Sequence, residues 1–267
     1  MEALQKKAQE LLTTCRANVV IGYGQGSDDK PRAIFVTDPA GADKLIFNDT
    51  CKQNLGVYLM KAEVKKLGKM GIFATKPVMR TVVLLASENQ LTDIDVTVIG
   101  VNEDGSLVDF ENLQALENHV KTITFEPDPA DKAKIEAIEK MTVEERWAYW
   151  QDQLSKCFKC YACRSACPMC YCSRCTVECN QPQWIPVPSH HLGNFEWHMM
   201  RAMHLVGRCI ECGECGRACP LDLPVHLLTQ KMAADARKDF GWQAGMSLKL
   251  ENPLSSFKPD DKESFIK

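Results

Sequence analysis

The chain lacks several features that would assign it to a broad class of protein. No apolar run is long enough to cross a bilayer, and even the segment 96–101, one of the longest, is far too short. The formal charge is only −3, from 32 basic and 35 acidic residues, so no basic excess favours nucleic acid as a partner. The N-terminal residues lack the apolar stretch of a signal peptide. We therefore expect a cytoplasmic protein with no direct membrane span.

Cysteine is nearly absent from the first 156 residues, where only Cys15 and Cys51 occur among the 14 cysteines of the 267-residue chain. All the others fall between Cys157 and Cys219. Because cytoplasmic thiols stay reduced, spaced cysteines there are typical of metal ligands rather than of disulfides. We expect Cys15 to lie in the core, and Cys51 either in the core or in a loop near the second domain.

Short apolar segments alternate with amphipathic ones over residues 1–124, which indicates an α/β domain with a largely parallel sheet. The pattern predicts helices over residues 1–15, 55–67, 77–91 and 107–120, and strands over residues 18–21, 33–36, 71–74 and 95–101. Pro127 and Pro129 then break the pattern. Residues 125–154 are predicted to form a linker and a charged helix over 130–154.

Two stretches in the C-terminal half repeat the spacing C-x-x-C-x-x-C-x-x-x-C-Pro, which is typical of bacterial ferredoxins. The first run is Cys157, Cys160, Cys163, Cys167 and Pro168, and the second run is Cys209, Cys212, Cys215, Cys219 and Pro220. In two-cluster ferredoxins the fourth cysteine of each run binds the cluster of the other run. This predicts one [4Fe–4S] cluster on a first ligand set (Cys157, Cys160, Cys163, Cys219) and another on a second ligand set (Cys209, Cys212, Cys215, Cys167). Two zinc ribbons would explain the C-x-x-C pairs but not the third cysteine or the closing x-x-x-C-Pro.

The spacing therefore predicts a bacterial-ferredoxin-like α+β domain over residues 155–240, with a 41-residue insertion between the runs. Within this domain we expect helices over residues 195–205 and 225–240. Residues 241–267 are predicted to form an extended tail on a partner or on the chain's own domain.

A cysteine quartet, consisting of Cys170, Cys172, Cys175 and Cys179, lies between the two runs. Four thiolates suit either a third [4Fe–4S] cluster or a structural Zn²⁺ ion. Partial or shared ligation and free thiols are the alternatives. His190 and His191 could contribute, although an exposed pair before a glycine is more typical of solvent-facing residues. His198 and His204 share a predicted helix with Met199, Met200 and Met203, and this face is expected to pack on the clusters or a partner.

Gly22, Gly24 and Gly26 follow a predicted strand and are candidates for cofactor binding. A dinucleotide loop would need a third glycine at another offset and a helix directly after it, so a plain glycine turn is the alternative. The sequence gives no Ser-His-Asp set and no paired carboxylates that could be located, and we assign no catalytic residue.

Residues 156–172 resemble the ferredoxin part of coenzyme F420 hydrogenase/dehydrogenase beta subunit-like proteins. Segments 21–24, 36–39, 42–45 and 88–90 are also similar, so the resemblance covers most of the chain. It implies electron transfer through [4Fe–4S] clusters within a larger complex of anaerobes, often next to a flavin. The implied partners are subunits of formate dehydrogenase, hydrogenase or heterodisulfide-reductase-like complexes.

The chain departs from this family in two ways. Lys76-Pro77-Val78-Met79 replaces a Gly-Cys-Asp turn of many relatives, and the ferredoxin part comes last, after a short α/β part. FAD or FMN in this chain is therefore an open question. The leading hypothesis is an iron–sulfur electron-transfer subunit. The alternatives are a flavin-containing subunit that exchanges hydride with NAD(P)H or coenzyme F420, and a zinc-stapled interaction module.

Overall fold

The computed structural model describes residues 1–27, 30–179 and 181–252. The N-terminal half contains a six-stranded sheet with the order β2-β1-β4-β5-β6, in which β3 also pairs with β1. Its strands are β1 (Val19–Gln25), β2 (Pro31–Val36), β3 (Leu45–Ile46), β4 (Met70–Ala74), β5 (Val96–Val101) and β6 (Leu107–Asp109). Its helices are α1 (Glu2–Thr13), α2 (Ala62–Lys65), α3 (Lys76–Ser87) and α4 (Leu113–Val120).

The sheet is mixed rather than largely parallel. Strands β1, β4 and β5 pair in parallel, whereas β2, β3 and β6 join them antiparallel. Every residue of β4 and β5 is buried, as expected for central strands covered on both faces. One apolar layer forms around α1, and a larger one around α3 and α4 continues into the cysteine-rich half.

Three predicted elements of this half differ from the structure. Strand β1 runs on through Gly22 and Gly24 to Gln25 rather than ending at residue 21. The helix predicted over residues 55–67 is a 3₁₀ turn (Leu55–Met60) followed by α2, because Lys61 between them is extended. The helix predicted over residues 107–120 is strand β6 followed by α4, whose start is capped by the side chain of Asn112.

The rest of the described chain is helical or irregular, with no strand among residues 110–179 and 181–252. The α+β pattern expected for the ferredoxin-like part is therefore wrong for these residues. A capping box at Thr142 divides the helix predicted over residues 130–154 in two. The helices are α5 (Pro129–Glu139), α6 (Val143–Ser155), α7 (Ala162–Ser165), α8 (His191–His204), α9 (Glu214–Arg217) and α10 (Val225–Phe240).

Residues 241–252 lie on the chain's own surface, one of the two locations expected for the tail. The indole Nε1 of Trp242 donates to the carbonyl of Gly207 at 2.7 Å. The backbone N–H of Leu248 donates to the Glu117 carboxylate at 3.1 Å, which ties the tail to α4. The remainder of the predicted tail, residues 253–267, falls outside the described residues. Within the described ranges no helix is long and apolar enough to cross a bilayer.

Candidate metal centre

The two cysteine runs adopt the same backbone conformation. In the first run Lys159 and Tyr161 have positive φ angles of 56° and 59°, and in the second run Glu211 and Gly213 have 62° and 72°. Each such non-glycine residue costs about 1 kcal/mol or more, so surrounding contacts must hold it in place. Only one of the four positions is a glycine. The repeat therefore extends from the cysteine spacing to the backbone geometry.

In each run this turn aims a backbone N–H at a cysteine. The N–H of Lys159 donates to Sγ of Cys157 at 3.3 Å, and that of Glu211 donates to Sγ of Cys209 at 3.4 Å. Amide donors to cluster sulfurs are one of the means by which a protein stabilises an iron–sulfur site. The short helices α7 and α9 follow, and they bury the third cysteines, Cys163 and Cys215.

The first ligand set draws together cysteines from both runs. The thiol of Cys157 lies close enough to Cys160 and Cys219 for electrostatic interaction. Cys163 interacts in the same way with Cys157 and Cys160, and also with Cys215 of the second ligand set. Buried Asn194 donates to the carbonyl of Cys157 at 2.6 Å and so fixes the start of the run. Apolar side chains pack around this set, among them Leu154, Trp197, Leu223 and Val225.

The second ligand set lines one cavity, together with Met169, Arg201, Gly213 and Thr229. Its four members are Cys167, Cys209, Cys212 and Cys215. The hydroxyl of Thr229 donates to the carbonyl of His226 at 3.0 Å. This set lies against the core of the α/β half, since Cys167 and Cys212 pack on the apolar layer around α3.

Burial changes the acidity of these thiols. It raises the pKa of Cys163 and of Cys212 to about 12, and it raises the pKa of Cys209 further. Thiols must lose their protons to bind iron, so cluster binding releases protons here. The cavity, the amide donors and the four-thiol sets together fit two [4Fe–4S] clusters.

The cysteine quartet does not converge on one point. Cys170, Cys172 and Cys175 line a cavity of about 260 Å³ that Arg164, His204 and Arg208 also face, whereas Cys179 is exposed and does not line it. Cys170 also makes hydrogen-bond contact with Cys167, which lowers the pKa of Cys170 to about 7. The quartet thus touches the second ligand set through Cys170.

Among the described residues, no three His, Cys, Asp or Glu side chains are arranged to hold one metal ion. A [4Fe–4S] site distributes its thiolates over four iron atoms, so its ligands do not meet at a single point.

The sequence did not reveal Arg201, which lies buried on α8 among the cysteines. Its Nη2 donates to the carbonyl of Cys163 at 3.1 Å. Burial opposes its charge, but nearby thiolates, Cys215 first among them, raise the pKa of Arg201 above its ordinary value. One sequence signal could have indicated its burial: Arg201 lies four residues after Trp197 and so on the same, buried face of α8.

Several other predicted site residues lie outside the cysteine centre. His190 caps α8 by accepting from the N–H of Gly193, and His191 is exposed. Gly22 and Gly24 lie inside β1, where a Cβ atom would collide with Leu45 or Ile34. Close packing therefore accounts for these two glycines. Gly26 follows β1, where a Cβ atom would meet the carbonyl of Lys30.

On α8, Met200 and Met203 are exposed, whereas Met199 packs around the first ligand set. His198 is buried, and burial lowers its pKa to about 3.

The two early cysteines differ in environment. Cys51 is buried in the core, one of the two expected locations. Cys15 is exposed, so its predicted burial is wrong. The reason is local, since α1 ends at Thr13 and Cys15 takes a left-handed conformation that removes it from the apolar face of Leu4, Ala8 and Leu11.

Comparisons with known proteins support iron–sulfur clusters in this half of the chain. Residues 170–224, which contain the quartet and the second run, match the family model of a 4Fe-4S dicluster domain. The F420-dependent formate dehydrogenase subunit beta of Methanocaldococcus jannaschii is 30% identical over 139 residues, covering 46% of this chain and 36% of that protein. The F420-dependent formate dehydrogenase 1 subunit beta of Methanococcus maripaludis is 31% identical over 105 residues, covering 39% and 25%.

The chain thus spans about a third or less of the length of these curated relatives. The similarity confirms the resemblance inferred from residues 156–172. The chain therefore contains a region that matches a 4Fe–4S dicluster domain, and over part of its length it is similar to beta subunits of F420-dependent formate dehydrogenases.

Proposed function

We propose that the chain is an electron-transfer subunit that holds two [4Fe–4S] clusters on the first and second ligand sets. The observation that carries this proposal is that Cys167 of the first run lines the same cavity as Cys209, Cys212 and Cys215 of the second run. In the other direction, Cys219 of the second run lies within electrostatic reach of Cys157. The bound clusters would supply one-electron storage at two neighbouring points. The protein's own contribution is to ligate, to exclude water and to place amide donors at the sulfurs.

The cysteine quartet is proposed as a third metal site. Cys170, Cys172 and Cys175 line one cavity. The backbone N–H of Cys179 donates to the carbonyl of Cys175 at 2.8 Å, which keeps the fourth member in the next turn of the chain. A third [4Fe–4S] cluster is the favoured occupant because the family match spans this quartet together with the second run. A structural Zn²⁺ ion is the alternative, and the metal content of the protein distinguishes the two.

Metal analysis of the anaerobically purified chain tests this proposal. Two clusters require about eight iron atoms and eight acid-labile sulfides per chain, and a third raises both counts to about twelve. About eight irons with one zinc would assign the quartet to zinc. About four irons or fewer, or zinc without acid-labile sulfide, would contradict the two-cluster proposal. Stoichiometric flavin in the same preparation would instead support the flavin-containing oxidoreductase.

An electron-transfer subunit needs a donor and an acceptor, and the relatives named above are beta subunits of formate dehydrogenases. We propose partner subunits that carry flavin or iron–sulfur clusters. The first ligand set is the more accessible one, because Cys160 and the neighbouring Phe158 are exposed. Anaerobic isolation of the native complex should recover such redox subunits, and recovery of partners without any redox cofactor would contradict the proposal.

A further inference from the structure

Arg201 lies where the three groups of cysteines meet. Besides donating to the carbonyl of Cys163 at 3.1 Å, Arg201 lines both the cavity of the second ligand set and the cavity that Cys170, Cys172 and Cys175 share. It also lies within electrostatic reach of Cys167. It thus adjoins all three groups of cysteines. Its exposed fraction is only 6%.

This cation has no acidic partner among the described residues. Arg80, Arg164, Arg208, Arg217 and Arg237 each form an ion pair with a glutamate, whereas Arg201 forms none in the described chain. Its Nε also has no hydrogen-bond partner there. A buried charge without a counter-charge is strongly unfavourable. The cysteine sulfurs are the groups placed to balance it once they are deprotonated.

The consequence for the clusters is electrostatic. Each cluster with its four thiolates gains one negative charge when it accepts an electron. A fixed cation in a buried site interacts more strongly with the reduced, more negative state than with the oxidised one. Local charge, hydrogen bonds to sulfur and burial are the means by which proteins set cluster potentials.

We propose that Arg201 is a positioning residue that raises the reduction potential of the clusters, above all that of the second ligand set. The second set is favoured because Arg201 lines its cavity, and because its interaction with Cys215 and Cys167 of that set is stronger than its interaction with Cys163 of the first set. The proposal rests on the clusters proposed above. The two proposals can fail independently. Metal analysis of the wild-type chain tests whether the clusters are present, and the reduction potentials of the variants test the role of Arg201.

The experiment is an EPR-monitored redox titration of the full chain, purified anaerobically, with mediator dyes. Arg201→Gln keeps an amide donor but removes the charge. It should lower the equilibrium constant for reduction of the second-set cluster at least tenfold, which is 59 mV for one electron. Arg201→Lys keeps the charge and should stay within about threefold of wild type. An unchanged potential in a fully loaded Arg201→Gln protein would overturn the proposal.

Arg217→Gln is the matched control. Arg217 also lies beside the second set, where its Nη2 hydrogen-bonds the carbonyl of Cys212, but its side chain is 47% exposed and paired with Glu214. Because water screens this charge, we expect a change of less than threefold. An equal shift in Arg217→Gln and Arg201→Gln would overturn the proposed role of burial. If Arg201→Gln fails to assemble clusters, Arg201→Lys is the deciding variant. A tenfold fall in its equilibrium constant for reduction, despite the retained charge, would contradict the proposal.

Discussion

Arg80 on α3 holds the carbonyl oxygen of Ala244 with two hydrogen bonds, from Nε at 3.0 Å and from Nη2 at 2.8 Å. Its Nη1 donates to the carbonyl of Ile210 at 3.2 Å. One buried side chain of the α/β half therefore fastens both the second run and the segment that follows α10. The metal centre is thus built onto the sheet domain rather than attached by a loose linker.

Arg80→Met should destabilise the protein by about 2–4 kcal/mol, because it leaves two buried carbonyls without donors. Anaerobic urea unfolding followed by circular dichroism measures this change. Lys76→Met is the control on the same helix, since Lys76 pairs with exposed Glu103, and it should change stability by less than about 1 kcal/mol. Equal effects of the two substitutions would argue against the proposed fastening role.

A second fastening point joins Glu88 at the end of α3 to Arg208 just before the second run. The guanidinium makes two hydrogen bonds to the carboxylate at 2.5 and 2.8 Å, and the hydroxyl of Tyr171 donates to the same carboxylate at 2.7 Å. Glu88→Gln should cost about 1–3 kcal/mol, because the pair is mostly buried. A double-mutant cycle with Arg208→Met should give a coupling energy above about 0.5 kcal/mol, and strict additivity would contradict the pairing.

The pH dependence of stability should report on Asp109. Hydrogen bonds from Arg16 and Lys7 outweigh partial burial and lower the pKa of Asp109 from 3.8 to about 2. A lowered carboxyl pKa adds stability that is complete above the unfolded pKa and is lost as the pH falls through the folded one. The advantage of wild type over Asp109→Asn should therefore be constant above about pH 4 and shrink between pH 4 and pH 2.

The size of this advantage is at most about 1 kcal/mol, since the ion pair is partly exposed. Unfolding by urea at a series of pH values measures it. Arg16→Met should weaken the same pH dependence by removing the strongest partner of Asp109. If Arg16→Met leaves the pH dependence of stability unchanged, that dependence arises from a group other than Asp109.

Much of this architecture follows from sequence pattern. The helix predicted over residues 225–240 matches α10 (Val225–Phe240), because Pro224 sets its start and Gly241 in a left-handed conformation ends it. The repeated cysteine spacing likewise corresponds to a repeated backbone conformation in the two runs, whereas the cross-ligation stays a prediction. These features depend on the local sequence, or on the cysteine spacing that a [4Fe–4S] cluster requires.

Other features depend on tertiary contacts that periodicity does not encode. The apolar spacing of residues 55–67 suits one helix, but Asn54 caps a 3₁₀ turn and its amide donates to Thr81 on α3. Residues 107–109 pair with β5, which overrides the helical pattern that continues into α4. Arg201 lies on the buried face of a helix, and its role can be inferred only once the positions of the surrounding cysteines are known.

The central claim is that each cluster takes ligands from both runs, and one EPR comparison of reduced variants tests it most directly. Cys160→Ser damages the site of the first run and Cys212→Ser that of the second, so they supply reference spectra. If Cys219 belongs to the first ligand set, the spectrum of reduced Cys219→Ser should match that of Cys160→Ser. A match to Cys212→Ser, the variant of its own run, would contradict the account.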